Sequence, residues 1–127
     1  MNYILFATYK YANASLAADH LRVSGHHVIV VDDGEQAMEM IASAGKLPLV
    51  LFAHHIMPNM DGMELFYSFR QQFPTFQTKL MLGLPMPSNG EPWREWDGRV
   101  DSYIMLPYSD WQLVLSTEQL LFLRDNT

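Results

Sequence analysis

Two adjacent histidines, His54 and His55, close a solid apolar run, Leu47–Ala53. An imidazole in such a place can move a proton, bind a transition metal or carry a phosphoryl group. Each of these needs partners. A zinc or nickel site takes three or four convergent ligands. Neighbouring strand residues point to opposite faces, so His54 and His55 do not chelate together, and the same holds for His26 and His27. Asp61 lies within reach in sequence, but before Gly62 it reads as a turn residue and not as a catalytic acid. Ser15, Asp19 and His20 show no spacing that makes a nucleophile triad, and they read as helix surface. There is no cysteine, so disulfides, thiolate nucleophiles and Cys-zinc sites are excluded.

The elements that hold these residues follow a βα rhythm. Leu47–Ala53 is a short unbroken apolar run, as expected of a strand buried on both faces of a parallel sheet. The turn formers Met57–Gly62 follow, then a helix from Met63 to about Gln72, ended near Pro74. Upstream, Tyr3–Ala7 predicts a first strand, with Thr8 to Tyr11 as the edge after it. A helix capped by Asn13 or Ser15 follows, running through Val23 with Ala14, Ala17, Ala18 and Leu21 on one side. His27–Val31 is the second strand, closed by Asp32-Asp33-Gly34, and Glu35–Ala44 the second helix, ended by Gly45. Downstream, Lys79 to Leu82 or Gly83 is a fourth strand. Pro85, Pro87, Gly90 and Pro92 disfavour a full helix after it, leaving at most a short turn over Pro92–Asp97. Ser102–Met105, ending at Leu106-Pro107, is the fifth strand. Ser109 to Gln112 forms a capping-box pattern that opens a last helix to about Leu123. Five strands alternating with helices predict one α/β domain over residues 1–127, a three-layer sandwich around a parallel sheet. In such folds ligands sit at the carboxyl ends of the strands, which is where His54 falls.

The totals agree with a globular domain: 127 residues, 49% hydrophobic and 17% charged. A net charge of −6 argues against nucleic acid or an anionic membrane as a direct partner. No apolar run approaches the length of a membrane span, and no charged-then-apolar leader opens the sequence, so a cytoplasmic location is expected.

Met57-Pro58-Asn59-Met60-Asp61-Gly62, followed by Met63-Glu64-Leu65, resembles the MP-x-MDG-x-EL signature of response-regulator receiver domains, the CheY-like family. Asp33-Gly34-Glu35-Gln36-Ala37-Met38 is similar to that family's DG-x-x-AL at the second helix. Tyr103 falls at its aromatic switch position and Pro107 at the proline after the last strand. The spacing agrees along nearly the whole chain. The resemblance implies a flavodoxin-like sheet of order 2-1-3-4-5, here with a short or irregular fourth helix.

The same resemblance implies an aspartate phosphoacceptor, two acids that hold Mg²⁺, a Thr or Ser after strand four and a Lys after strand five. This chain departs at all five. The phosphoacceptor position is His54. The acid-pair positions are Thr8 and Tyr9. The hydroxyl position is Leu84, or Gly83 if the register slips by one, and the Lys position is Leu106. Asp32 and Asp33 imitate the acid pair, but Asp32 precedes His54 by only 22 residues (54 − 32), whereas Thr8 precedes it by 46 (54 − 8). The two acids therefore belong to the end of strand two. Without carboxylate or ammonium, a site lined by Thr8, Tyr9, His54, Leu84 and Leu106 has nothing to compensate a desolvated hard cation.

The sequence is therefore read as a pseudo-receiver with no catalytic residue, no metal and no cofactor, working through a protein partner in bacterial signalling. That partner is a signalling or transcription component, or an effector domain of the same protein. His54 is expected to fill the pocket and bond Thr8 or a backbone group. Met86, Trp93, Trp96, Tyr103, Tyr108 and Trp111 are the expected partner contacts, on a face made by the fourth helix, fifth strand and fifth helix that also suits a homodimer. Two other readings stay open: a phosphoryl carrier through His54, with Lys10 the only cation near it, and a small-molecule sensor at the same strand edge.

Overall fold

The computed structural model of the chain describes residues 2–74, 77–85 and 100–126. Five parallel strands form the sheet. They are β1 (Ile4–Ala7), β2 (Val28–Val31), β3 (Val50–His54), β4 (Lys79–Pro85) and β5 (Ser102–Leu106). The described helices are α1 (Ala12–Val23), α2 (Gly34–Ala44), α3 (Gly62–Gln72) and α4 (Asp110–Asp125). Among the described residues a helix follows β1, β2, β3 and β5. The sheet order is β2-β1-β3-β4-β5, an α/β flavodoxin-like arrangement as expected. The expected turn over Pro92–Asp97 lies outside the described residues.

Alternation along each strand divides the core into two layers. Ile4, Phe6, Val50, Phe52 and Met81 face α1 and α4, where Ala14, Ala17, Leu21, Leu113 and Leu120 meet them. Leu5, Leu51, Ala53, Leu80 and Leu82 face α2 and α3, against Ala37, Ile41, Leu65 and Phe69. Strands β1 and β3 are buried along their whole length. This is why their sequences read as unbroken apolar runs.

Local chemistry sets the helix ends. Asp33 caps α2 by accepting from the Gln36 N–H at 2.8 Å. Gly45 closes that helix at φ 69°, a left-handed conformation that glycine adopts without penalty. Ser109 and Gln112 complete both halves of the capping box on α4. Three expectations need correction. Helix α1 begins at Ala12 with Tyr11 as its N-cap and no side-chain cap. Asn13 instead donates to the Tyr108 carbonyl at 2.9 Å, so neither Asn13 nor Ser15 caps it. Strand β3 starts at Val50 and not at Leu47, because Pro48 lacks the N–H a ladder needs. Strand β4 runs on to Pro85, paired with Leu106 of β5.

Candidate functional site

The carboxyl edge of β3 is the centre of the site. His54 ends that strand and is only 5% exposed. By alternation it follows Val50 and Phe52, on the side of the sheet covered by α1 and α4. The ring does not reach solvent there. Phe52, Tyr11 and Tyr108 surround it edge-on, with ring centroids 5.5, 5.2 and 5.7 Å away. Its Nε2 is 2.7 Å from the Tyr108 hydroxyl. The partner of the imidazole is thus a phenol, and not Thr8 or a backbone group as the sequence suggested.

Tyr108 is held in turn by α1. The Tyr11 hydroxyl accepts from the Tyr108 N–H at 2.9 Å and donates to the Tyr108 carbonyl at 3.1 Å. Asn13 donates to the same carbonyl. Both polar groups of the Tyr108 backbone are therefore paired with α1 or the residue before it. At 2% exposure Tyr108 cannot meet a partner. Its expected place among the partner contacts is corrected: the bond to His54 and the tilted ring contact with Tyr11, centroids 4.5 Å apart, draw it inward.

The electrostatics follow from burial. Desolvation lowers the His54 pKa from 6.5 to about 4, so the ring is neutral at pH 7. Burial, and then the neighbouring Tyr11, push the Tyr108 phenol up, so it keeps its proton. A neutral imidazole and a neutral phenol share this bond, with the donor set by the imidazole tautomer.

The other departing positions are arranged around this pair. Thr8 follows Ala7, which is paired with Ala53, so it lies level with His54 across the edge, buried, with its N–H bonded to Val31 O at 3.0 Å. Tyr9 turns outward, with Lys10 Nζ 5.2 Å from its ring centroid. Gly83 is the β4 residue opposite His54. A β-carbon there would stand 3.0 Å from His54 Cδ2 and 3.2 Å from Phe52 Cζ. The bare glycine leaves the room the two rings occupy. Leu84 joins the α2–α3 layer on the other face, and Leu106 packs against the α1–α4 layer. Neither candidate for the hydroxyl position supplies a hydroxyl.

The acids nearby are structural. Asp61 caps α3 through the Glu64 N–H at 2.9 Å. Gly62 must be glycine, since a β-carbon would sit 2.5 Å from His54 O. Asp33 caps α2 with one oxygen and accepts from Asn59 with the other at 2.8 Å. This joins the loops after β2 and β3, away from His54. Among the described residues no group of three or more His, Asp or Glu could hold a metal ion.

Of the expected partner contacts, Tyr103 and Trp111 are exposed. Met86, Trp93 and Trp96 lie outside the described residues. Sequence reasoning missed Tyr11. The available signal was an aromatic residue at the edge of both β1 and β5, flanking a histidine at the edge of β3.

No family model matches the chain, and no curated protein matches it. Solved structures do. One is the signal receiver domain of an HD domain-containing protein from Pseudomonas fluorescens Pf-5, with a TM-score of 0.76 at 20% identity over 98% of this chain and 90% of that one. Another is the receiver domain of the Francisella response regulator 1452, at 0.77 and 21% over 95% and 97%. A third is the signal receiver domain of a signal transduction histidine kinase from Syntrophus aciditrophicus, at 0.77 and 21% over 95% and 90%. The fold is the receiver fold. The end of β3 is where the sequence resemblance implies a phosphoacceptor. Here a neutral, phenol-bound imidazole occupies it.

Proposed function

We propose that the chain is a pseudo-receiver, a cytoplasmic bacterial signalling domain that acts through protein contacts and accepts no phosphoryl group at its strand edge. The supporting observation is the environment of His54. In the implied phosphoacceptor position stands a buried ring whose Nε2 already bonds the Tyr108 phenol. Phosphoryl transfer needs fixed positive charge on the moving group. The positions for that charge hold Thr8, Tyr9 and Leu106. The same facts weigh against a phosphohistidine carrier, because the ring is buried and its Nε2 is already engaged by Tyr108. The solved neighbours come from response regulators, a histidine kinase and an HD domain-containing protein. The partner is accordingly another signalling component or an effector domain, met at Tyr103 together with Met86, Trp93 and Trp96.

The test is incubation of the full chain with acetyl phosphate and Mg²⁺, read by intact mass at neutral pH, where both aspartyl and histidyl phosphates survive long enough to be seen. The expected mass is that of the unmodified chain. An adduct mapped to His54, or to any residue of this edge, would overturn the reading. A pull-down with wild type, Tyr103→Ala and His54→Ala then assigns the surface. Binding is expected to survive the histidine change and to weaken with the tyrosine change.

A further inference from the structure

Strand β2 is one rim of the sheet, at the opposite end from β5. Its residues, Val28–Val31, are all β-branched, with no charge, glycine or proline among them. A bare edge of that kind is a template for a further strand. The register shows which backbone groups it offers. The Ile4 N–H donates to the His27 carbonyl at 2.8 Å and the Thr8 N–H to the Val31 carbonyl at 3.0 Å. The strands pair in register from Ile4 with Val28 to Ala7 with Val31. His27, Ile29 and Val31 therefore turn their backbone groups toward β1. Those of Val28, Val30 and Asp32 turn away from the sheet.

Two side chains reach over this outward row. From α1, Arg22 donates to the Val28 carbonyl, from Nε at 3.2 Å and from Nη2 at 2.8 Å. Its Nη1 donates to Asp19 at 2.9 Å, which fixes the guanidinium in place. From α2, Gln36 Oε1 accepts from the Asp32 N–H at 3.0 Å. Both residues are exposed, so burial does not put them there. Between the two clasps lies Val30, whose N–H and carbonyl bond to no side chain among the described residues.

We infer that Arg22 and Gln36 are edge guards, which stop β2 from pairing antiparallel with β2 of a second copy of the chain. The register selects that occupant. A two-fold axis at Val30 sets Val30 against Val30 and Val28 against Asp32, each a hydrogen-bonded pair because all three residues turn the same way. In that pairing the Asp32 N–H of one copy donates to the Val28 carbonyl of the other. These are the donor that Gln36 takes and the acceptor that Arg22 takes. The guards thus close one inter-chain bond from both of its ends. An added strand would also run about 4.8 Å from β2, through the space beside Val28 that the guanidinium fills. With the guards gone, the β-branched residues would favour the pairing. This edge is not the one Tyr103 uses, and the inference does not rest on the interaction reading. The outcome with Tyr103→Ala bears on that reading alone.

Sedimentation velocity of the full chain from about 1 to about 500 µM tests it, beside NMR hydrogen exchange of the Val30 amide. Arg22→Met keeps an unbranched stem and good helix propensity but removes the donor fork. Gln36→Ala removes the second guard. The double variant is expected to dimerise with a Kd on the order of 10–100 µM, at least ~10-fold tighter than wild type. Its Val30 amide is expected to exchange ~10-fold or more slowly as concentration rises, while that of wild type does not change. Adding Val30→Pro removes an outward donor and spares the ladder to β1, so it is expected to restore the monomer. Should the double variant lose the native circular dichroism, each single variant is expected to show the same association more weakly. Native variants that stay monomeric throughout overturn the proposal. So does association that Val30→Pro leaves unchanged, or a wild-type Val30 amide that already gains protection with concentration.

Discussion

His54 and Tyr108 stand 54 residues apart in sequence and 2.7 Å apart in space. Their bond joins the end of β3 to the loop between β5 and α4. Tyr11 and Asn13 extend it to α1. The carboxyl edge of β3 is closed by the rings of His54, Tyr108 and Tyr11. The Tyr108 hydroxyl pairs with His54 Nε2 and the Tyr11 hydroxyl with the Tyr108 backbone, which offsets the cost of burying them.

Removing one member of the pair leaves the other buried and unsatisfied. Tyr108→Phe is expected to destabilise the chain by about 1–3 kcal/mol, the usual cost of a stranded buried polar atom. His54→Leu in the same background is expected to recover part of that loss, since no polar atom then remains at the contact. A double-mutant cycle by urea denaturation measures the coupling, expected at about 1–2 kcal/mol. Additive losses would show that the two side chains do not act as a pair.

Gly83 is matched to His54 through space. Gly83→Ala places a methyl 3.0 Å from His54 Cδ2 and 3.2 Å from a Phe52 ring carbon. Neither ring has room to retreat in a packed layer, so a loss of about 1–3 kcal/mol is expected. In a His54→Ala background the same change is expected to cost less than half as much. Equal losses in both backgrounds would place the strain elsewhere.

Much of the fold was legible because the central strands are buried on both faces. Runs such as Tyr3–Ala7 and Leu47–Ala53 have one reading in an α/β rhythm, and the Ser109 capping box and Gly45 mark helix ends that the structure keeps. The Asp61-Gly62 loop was legible for a similar reason. The cap needs a side-chain acceptor at Asp61, and the close approach to His54 O allows only glycine beside it. The site was legible only in part. That His54 ends a strand follows from the pattern. That Tyr108 turns inward to meet it does not, because its position depends on α1, which lies almost a hundred residues away. A tyrosine after a strand looks the same in sequence whether it points to solvent or to a buried imidazole. Asn13 misled for a related reason: its side chain suits a helix cap, but a carbonyl from another element competes for it.

Asp32 and Asp33 look like a metal-binding pair, and the structure assigns Asp33 other duties. It caps α2 and holds Asn59, which sits at φ 67°. Asp33→Ala is expected to cost about 1–2 kcal/mol through the lost cap. Millimolar Mg²⁺ is expected to leave the melting temperature of both wild type and variant unchanged, since a ligand that binds the native state would raise it. A rise in wild type that Asp33→Ala abolishes would restore these acids as a cation site.

The buried imidazole also fixes how stability responds to acid. The unfolded chain binds a proton at His54 below its ordinary pKa of 6.5, whereas in the folded state burial holds that pKa near 4. Between these values the unfolded state carries more protons than the native one, so stability falls with falling pH. The contribution is complete above pH 6.5 and is lost as the pH drops through that value toward 4. The slope approaches 1.4 kcal/mol per pH unit, for a total of about 3 kcal/mol. Urea midpoints measured from pH 7 down to pH 4.5 are expected to fall steeply in wild type. With His54→Leu, which cannot take up the proton in either state, the decline is expected to be shallower by about that amount. The imidazole resonances of His54 should shift in NMR with a midpoint near pH 4 while the chain stays folded. A midpoint near 6.5, or parallel pH profiles for the two proteins, would mean that the ring is solvated and the edge of the sheet open.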